Sequence, residues 1–163
     1  VVFSDADLAT HPFLCRLGPD VLDPRLDEAA VIERLRAAPF AGRALGGLYL
    51  DQGFMAGIGN YLRSEILFFA GLAPARRPRE LDDAALARLA RSTLEVSQRA
   101  YRARGVTNPA PRVGALKSAG LRYSAFRFAV FSRAAEPCFD CGTPVARITV
   151  TTRRLYYCPH CQR

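Results

Sequence analysis

Cys138, Cys141, Cys158 and Cys161 form two C-x2-C pairs separated by sixteen residues near the C-terminal end of the chain. A two-residue gap lets both thiolates of a knuckle turn toward one tetrahedral ion, so this spacing points to one structural Zn2+ held by four sulfurs. Gly142 follows the first pair and Pro159 sits inside the second, supplying the turn-forming residues that such bends need. The competing chemistry is a pair of disulfides in a secreted scaffold. Against it stand the lack of an apolar leader and an odd fifth cysteine, Cys15. His160 lies inside the second knuckle but reads as a bystander, because four thiolates already complete the site.

Charge is the other chemical signal. The 163 residues carry a formal net charge of +8, unevenly spread. Residues 1–96 hold 11 basic and 13 acidic side chains, whereas residues 97–163 hold 12 basic and 2 acidic, a net +10. From Ser97 to Ala135 there are eight Arg or Lys and no acid. An excess confined to the cysteine-bearing part suggests a surface for a polyanion, with nucleic acid the first candidate. A membrane surface is disfavoured, because these charges do not line an amphipathic helix with a large apolar face. No apolar run approaches the ~20 residues that cross a bilayer, which reads as a soluble protein with no membrane partner.

The elements that hold these groups can be read from punctuation and period. Half of the residues are hydrophobic, enough for one core plus a small appendage. Val1-Val2-Phe3 reads as the end of a strand and residues 4–26 as a linker rich in Asp, Pro and Gly, so the chain reads as a fragment. Asp27 caps a helix that Pro39 ends. Within Asp51–Phe69, Met55, Ile58, Leu62, Ile66 and Phe69 recur at three- and four-residue steps, which predicts a buried helix over the second half. Gly53, Gly57 and Gly59 do not suit a smooth long helix; glycines at that density permit close backbone approach to another helix or a ligand. Leu81-Asp82-Asp83 starts a further helix running to about Arg104. Gly105–Gly120, rich in Pro and Gly without an apolar period, is predicted to be a mobile loop. Val145–Thr151 and Leu155–Cys158 are predicted as two strands of a hairpin with Thr152-Arg153-Arg154 at its tip.

The run Asp51-Gln52-Gly53-Phe54-Met55-Ala56-Gly57-Ile58-Gly59-Asn60-Tyr61-Leu62-Arg63-Ser64-Glu65-Ile66-Leu67-Phe68 resembles the helix-two-turns-helix motif of the formamidopyrimidine-DNA glycosylase/endonuclease VIII family. The four-cysteine hairpin with an Arg at its tip is similar to that family's zinc finger. Thr10-His11-Pro12-Phe13-Leu14 and Gly18-Pro19-Asp20-Val21-Leu22 look like its linker. Asn60–Leu67 and Phe126-Arg127-Phe128 look more like the endonuclease VIII branch. The resemblance implies a mainly α fold: an interdomain linker over 1–26, a helix-two-turns-helix DNA-binding domain over 27–132 and a zinc-finger β-hairpin over 133–163.

A helix N-terminus preceded by glycines offers backbone N–H groups and a positive dipole to a phosphate, with Gly57 and Gly59 leaving no side chain in the way. The resemblance gives Asn60 an amide hydrogen bond to the same phosphate; an ordinary helix cap is the alternative role, and the two can coexist. It gives Arg153 the phosphates flanking the lesion, against the alternative of a solvated turn residue. Arg154 stands where the family commonly has proline, a departure expected to loosen the tip. Gln162 matches a position in the family's tail and is carried as a further DNA-binding candidate. Glu65 matches a family carboxylate, with a structural salt bridge as its expected job.

Family members act through a Schiff base on an N-terminal proline, assisted by a Glu and a Lys of a separate domain. This chain has no Met-Pro-Glu start, and its one lysine, Lys117, lies in the presumed loop without an evident activating partner. The resemblance therefore implies the DNA-binding C-terminal half of a bifunctional DNA glycosylase/AP lyase that removes oxidised pyrimidines in base excision repair. Alone it is expected to be inactive, monomeric, bacterial and cytoplasmic, with damaged double-stranded DNA as partner. A non-enzymatic zinc-ribbon protein that binds nucleic acid would share the cysteine hairpin and the basic bias. The glycine-rich Asp51–Phe68 segment separates the two, because a zinc ribbon has no need of it. A zinc module for protein docking is opposed by the net +10 over residues 97–163 and the polar hairpin tip.

Overall fold

The computed structural model describes His11 and residues 14–163, so the strand end expected at Val1-Val2-Phe3 and the linker resemblance at Thr10, Pro12 and Phe13 lie outside the described residues. Asp27 caps α1 (Glu28–Arg36), its carboxylate accepting from the Ala30 N–H at 2.8 Å, while Val31 and Leu35 turn inward. Pro39 does not end this helix. It lies in the first turn of a short helix, α2 (Ala38–Ala41), where its missing N–H is not needed. After α3 (Leu45–Leu48) the chain makes two tight turns over 51–59 and enters α4 (Asn60–Ala70). The longest helix, α5 (Asp83–Arg102), starts as predicted, with Asp82 accepting from the Ala85 N–H at 2.7 Å.

α4 packs between α5 and the C-terminal hairpin, and α1 covers another face of α5. The main core gathers Leu35, Leu48, Phe54, Ile66, Leu67 and Leu89, all fully buried. Met55 and Ile58 belong to this core from the turns, not from a helix, so the helical period of the sequence runs past the true start of α4. Residues 17–26 pack against the helices. Val21 is buried in the same core, its N–H donates to Ala56 O at 3.0 Å, and the Ala56 N–H returns a bond to Pro19 O at 2.9 Å.

Two further expectations change. Gly105–Gly120 contains a helix, α6 (Ala110–Ser118), entered through Pro109 and with a second proline in its first turn. Prolines at a helix entry are compatible with helix, so here they do not act as breakers. A short α7 (Tyr123–Phe126) follows. In the hairpin, β1 (Ala146–Val150) pairs antiparallel with β2 (Arg153–Tyr157), and Val150 lies opposite Arg153. The turn is therefore Thr151-Thr152, with φ of 53° and 74°, and Arg153 opens the second strand beside it. A two-residue hairpin turn with both residues at positive φ matches the strand twist, but β-branched side chains adopt it with strain.

Candidate nucleic-acid interface and metal centre

The two C-x2-C pairs meet. The Sγ atoms of Cys138, Cys141, Cys158 and Cys161 all lie within 4.8 Å of one another, with Cys138–Cys161 at 3.9 Å and Cys141–Cys158 at 3.5 Å. Four sulfurs around a tetrahedral ion with ~2.3 Å bonds would stand roughly 3.8 Å apart, so the donor set fits one divalent metal ion. Side-chain and backbone hydrogen bonds at Thr143 hold the Cys141 thiol down at about 6, whereas burial pushes the Cys138 and Cys161 thiols up. A bound cation favours the thiolate form at every position, which is the physical demand this cluster makes.

The second knuckle is tied to the helices by Gln162. This side chain is only 3% exposed; its Oε1 accepts from the Cys158 N–H at 2.8 Å and its Nε2 donates to Leu72 O at 2.9 Å. Its amide thus joins the tail to the end of α4.

The hairpin reaches back to the start of α4. Leu155 of β2 is fully buried in the helical core, and the Tyr156 N–H meets Ser64 Oγ at 3.3 Å. Above this contact, Asn60 Nδ2 donates to Arg154 O at 2.9 Å, and Asn60 Oδ1 accepts from Arg63 Nη2 at 2.6 Å. Arg63 also donates to Arg154 O at 3.2 Å and through Nη1 to Gly46 O at 2.7 Å. The tie to α4 is made by the Arg154 carbonyl, not by its side chain. Asn60 is not the helix cap: the N-cap is Gly59, and Asn60 is the first helical residue. Its amide is therefore available for the hairpin and for a ligand at the helix end.

Arg63 is the residue that sequence reasoning missed. It is fully buried, its Nε has no partner among the described residues, and no described carboxylate pairs with it. Burial, then the charge of Arg153, lowers its pKa to about 10. A buried cation held only by carbonyls leaves uncompensated positive charge at the start of α4, where an anion would be favoured. The available signal was an Arg inside a run that is otherwise core.

The two turns that aim α4 are fixed by polar staples. Arg34 of α1 donates to the carbonyls of Gly53 and Phe54. Gln52 spans the second turn, accepting from the Gly57 N–H at 3.0 Å and donating to Ile58 O at 3.0 Å. The two predicted glycines divide. A Cβ on Gly59 would meet nothing within 4 Å, so the approach to the helix end is open there. Gly57 sits at φ +88°, and a Cβ on it would lie 3.3 Å from Val21, so its job is the turn.

Glu65 does not form a salt bridge among the described residues. Buried on α4, its Oε1 accepts from the Val130 and Phe131 N–H groups at 2.8 Å each, and its Oε2 from the Ala129 N–H at 2.7 Å and from the Thr107 hydroxyl. The carboxylate gathers three consecutive N–H groups of the segment that leads into the first knuckle.

Residues 17–109 match the family described as "Formamidopyrimidine-DNA glycosylase H2TH domain". The chain belongs to this family. Among curated family relatives, "Endonuclease 8" of Escherichia coli O9:H4 (strain HS) is 45% identical over 155 residues, covering 95% of this chain and 56% of the relative. "Endonuclease 8" of Klebsiella pneumoniae subsp. pneumoniae is 43% identical over 161 residues, covering 99% of this chain and 58% of the relative. The chain thus spans about half the length of the curated relatives it matches. Of solved structures, the MutM (Fpg) protein from Thermus thermophilus superposes with a TM-score of 0.76 at 34% identity, over 96% of this chain and 57% of that one. The Lactococcus lactis Fpg in complex with DNA containing an abasic site gives a TM-score of 0.75 at 25% identity, over 99% of this chain and 56% of that one. The mainly helical fold is shared with the matched part of these structures. No described helix is long and apolar enough to cross a membrane.

Proposed function

We propose that this chain is the DNA-binding part of a bifunctional DNA glycosylase/AP lyase of the endonuclease VIII kind, acting on oxidised pyrimidines in base excision repair in the bacterial cytoplasm. The observation that carries the reading is the unit at the start of α4: Asn60, buried Arg63 and the Arg154 carbonyl are hydrogen-bonded together beside the exposed Arg153. Asn60 Nδ2 has two hydrogens; one goes to Arg154 O and the other, with the first-turn N–H groups opened by Gly59, receives a backbone phosphate. Arg153 adds a bidentate contact to a neighbouring phosphate. Arg63 contributes charge from behind, without touching the DNA.

The four cysteines hold one structural Zn2+, which fixes the base of the hairpin and so reduces the ordering cost at Arg153. The division into linker (1–26), helix-two-turns-helix domain (27–132) and zinc finger (133–163) is functional rather than mechanical, since Val21 and Leu155 both enter the helical core. We assign bond cleavage to a nucleophile outside these residues. Lys117, the one lysine, places its ammonium over the Phe126 ring at 5.2 Å, with no contact among the described residues that would activate it as an amine nucleophile.

Anisotropy titration of a duplex containing an abasic site tests the reading. Binding by the monomeric chain should weaken steeply as salt rises, as phosphate contacts require. Borohydride should trap no covalent adduct with these 163 residues. Salt-independent binding would sink the phosphate clamp, and a trapped product would expose an overlooked amine.

A further inference from the structure

α6 buries no side chain fully: Val113 and Leu116 are half-buried, and Lys117 lies over the Phe126 ring at 5.2 Å. Arg112 adds a tie to the first knuckle. It donates to Asp140 Oδ1 and, through Nη1, to Asn108 Oδ1 at 3.2 Å, and its guanidinium lies 5.7 Å from the centre of the Phe139 ring. Phe139 and Asp140 are the two residues between Cys138 and Cys141, so the knuckle itself sets their positions. Phe139 is also stacked by Arg133, at 3.5 Å. On the inner side, buried Asn108 donates to Phe126 O at 2.9 Å. One chain of contacts therefore runs from the metal knuckle through Arg112 to the base of α7. At the other end of α6, Gly120 has φ +80° with open space where a Cβ would be, and the Gly120 and Leu121 N–H groups close the helix on Lys117 O and Leu116 O.

Under α6 lies a cavity of about 600 Å³ with Val106, Val113 and Phe126 on its walls and Arg104 and Lys117 at its edge. We propose that α6 is a lid over this cavity, latched to the first knuckle by Arg112, so that metal occupancy of the four cysteines sets how firmly the lid is held. The inference rests on the cysteine site holding a metal and is independent of DNA binding. The latch is partly open to solvent, with side-chain exposures of 22% for Arg112 and 43% for Asp140, so it is of modest strength and weakens with salt.

Hydrogen exchange read by mass spectrometry on the metal-loaded chain, its metal content measured beforehand, tests the latch. Arg112→Ala and Asp140→Asn should each lower protection of residues 110–118 by about fivefold, and the double variant no further than the larger single change. Arg112→Lys should recover part of the effect, since it keeps the charge but not the planar stacking on Phe139. EDTA should speed α6 exchange by a larger factor in the parent than in Arg112→Ala, where the latch is already gone. The proposal is overturned if neither substitution moves α6, or if EDTA speeds its exchange equally in parent and variant. It is also overturned if either substitution exposes α4 together with α6, because α6 would then open only by global unfolding.

Discussion

Glu65→Gln is the sharpest probe of how this fold is held. The carboxylate accepts four hydrogen bonds, two on each oxygen. With an amide in its place, the carbonyl oxygen can still accept from Val130 and Phe131, now without charge assistance, a loss of roughly 1 kcal/mol for each bond. The NH2 group replaces Oε2. The Thr107 hydroxyl can rotate to accept from it, but the Ala129 N–H then faces another donor in a buried site and loses its partner, at about 1–3 kcal/mol. The substitution should therefore destabilise the chain by about 3–5 kcal/mol, a large part of the ~5–15 kcal/mol typical of a domain. For a chain of this size that is a fall in Tm of roughly 6–20 °C. Urea denaturation followed by circular dichroism measures it, and exchange at residues 129–131 should rise before that of α4. A loss below ~1 kcal/mol would refute the reasoning, since it would mean that the three N–H groups find other partners.

Removing the metal with EDTA should abolish protection of residues 136–163 and also lower the stability of the helices, because Leu155 fills their core; a hairpin that stays ordered without metal would contradict this. Arg153→Ala should weaken binding of an abasic duplex by ~1.5–3 kcal/mol with little change in Tm, whereas Lys117→Ala should be silent in the same titration. Asn60→Ala should lower both affinity and Tm, the second through the lost tie to Arg154 rather than through a helix cap; measuring both quantities separates the roles. Replacing Thr151-Thr152 with Asn-Gly should raise the Tm of the metal-loaded chain, by about 1 kcal/mol of relieved strain, and a fall would show that the threonine side chains make contacts that outweigh it.

Chemistry that depends on local spacing was legible in the sequence. The two C-x2-C pairs predict the sulfur cluster because a knuckle is a local turn, and Asp27 and Asp82 predict their helix starts because a cap acts within three residues. The Asp51–Phe68 run identified the family, and the basic bias beyond Ser97 pointed to a polyanion. The prolines at the entry of α6 misled because their meaning depends on whether a helix follows, which composition does not settle.

What the tertiary structure decided is partnership across the chain. Asn60 and Arg154 are far apart in sequence, yet one hydrogen bond joins them and makes the helix end and the hairpin a single surface. Glu65 read as a salt-bridge carboxylate and Arg63 carried no reading at all, and each goes inward to backbone groups, carbonyls for the cation and N–H groups for the carboxylate. Gln162, carried as a DNA-binding candidate, has both ends of its buried amide bonded to the protein. The physical reason is common to all four. A polar side chain can be recognised from sequence, but its partner is set by which distant backbone groups the packed core leaves unsatisfied, and those exist only once the core has formed.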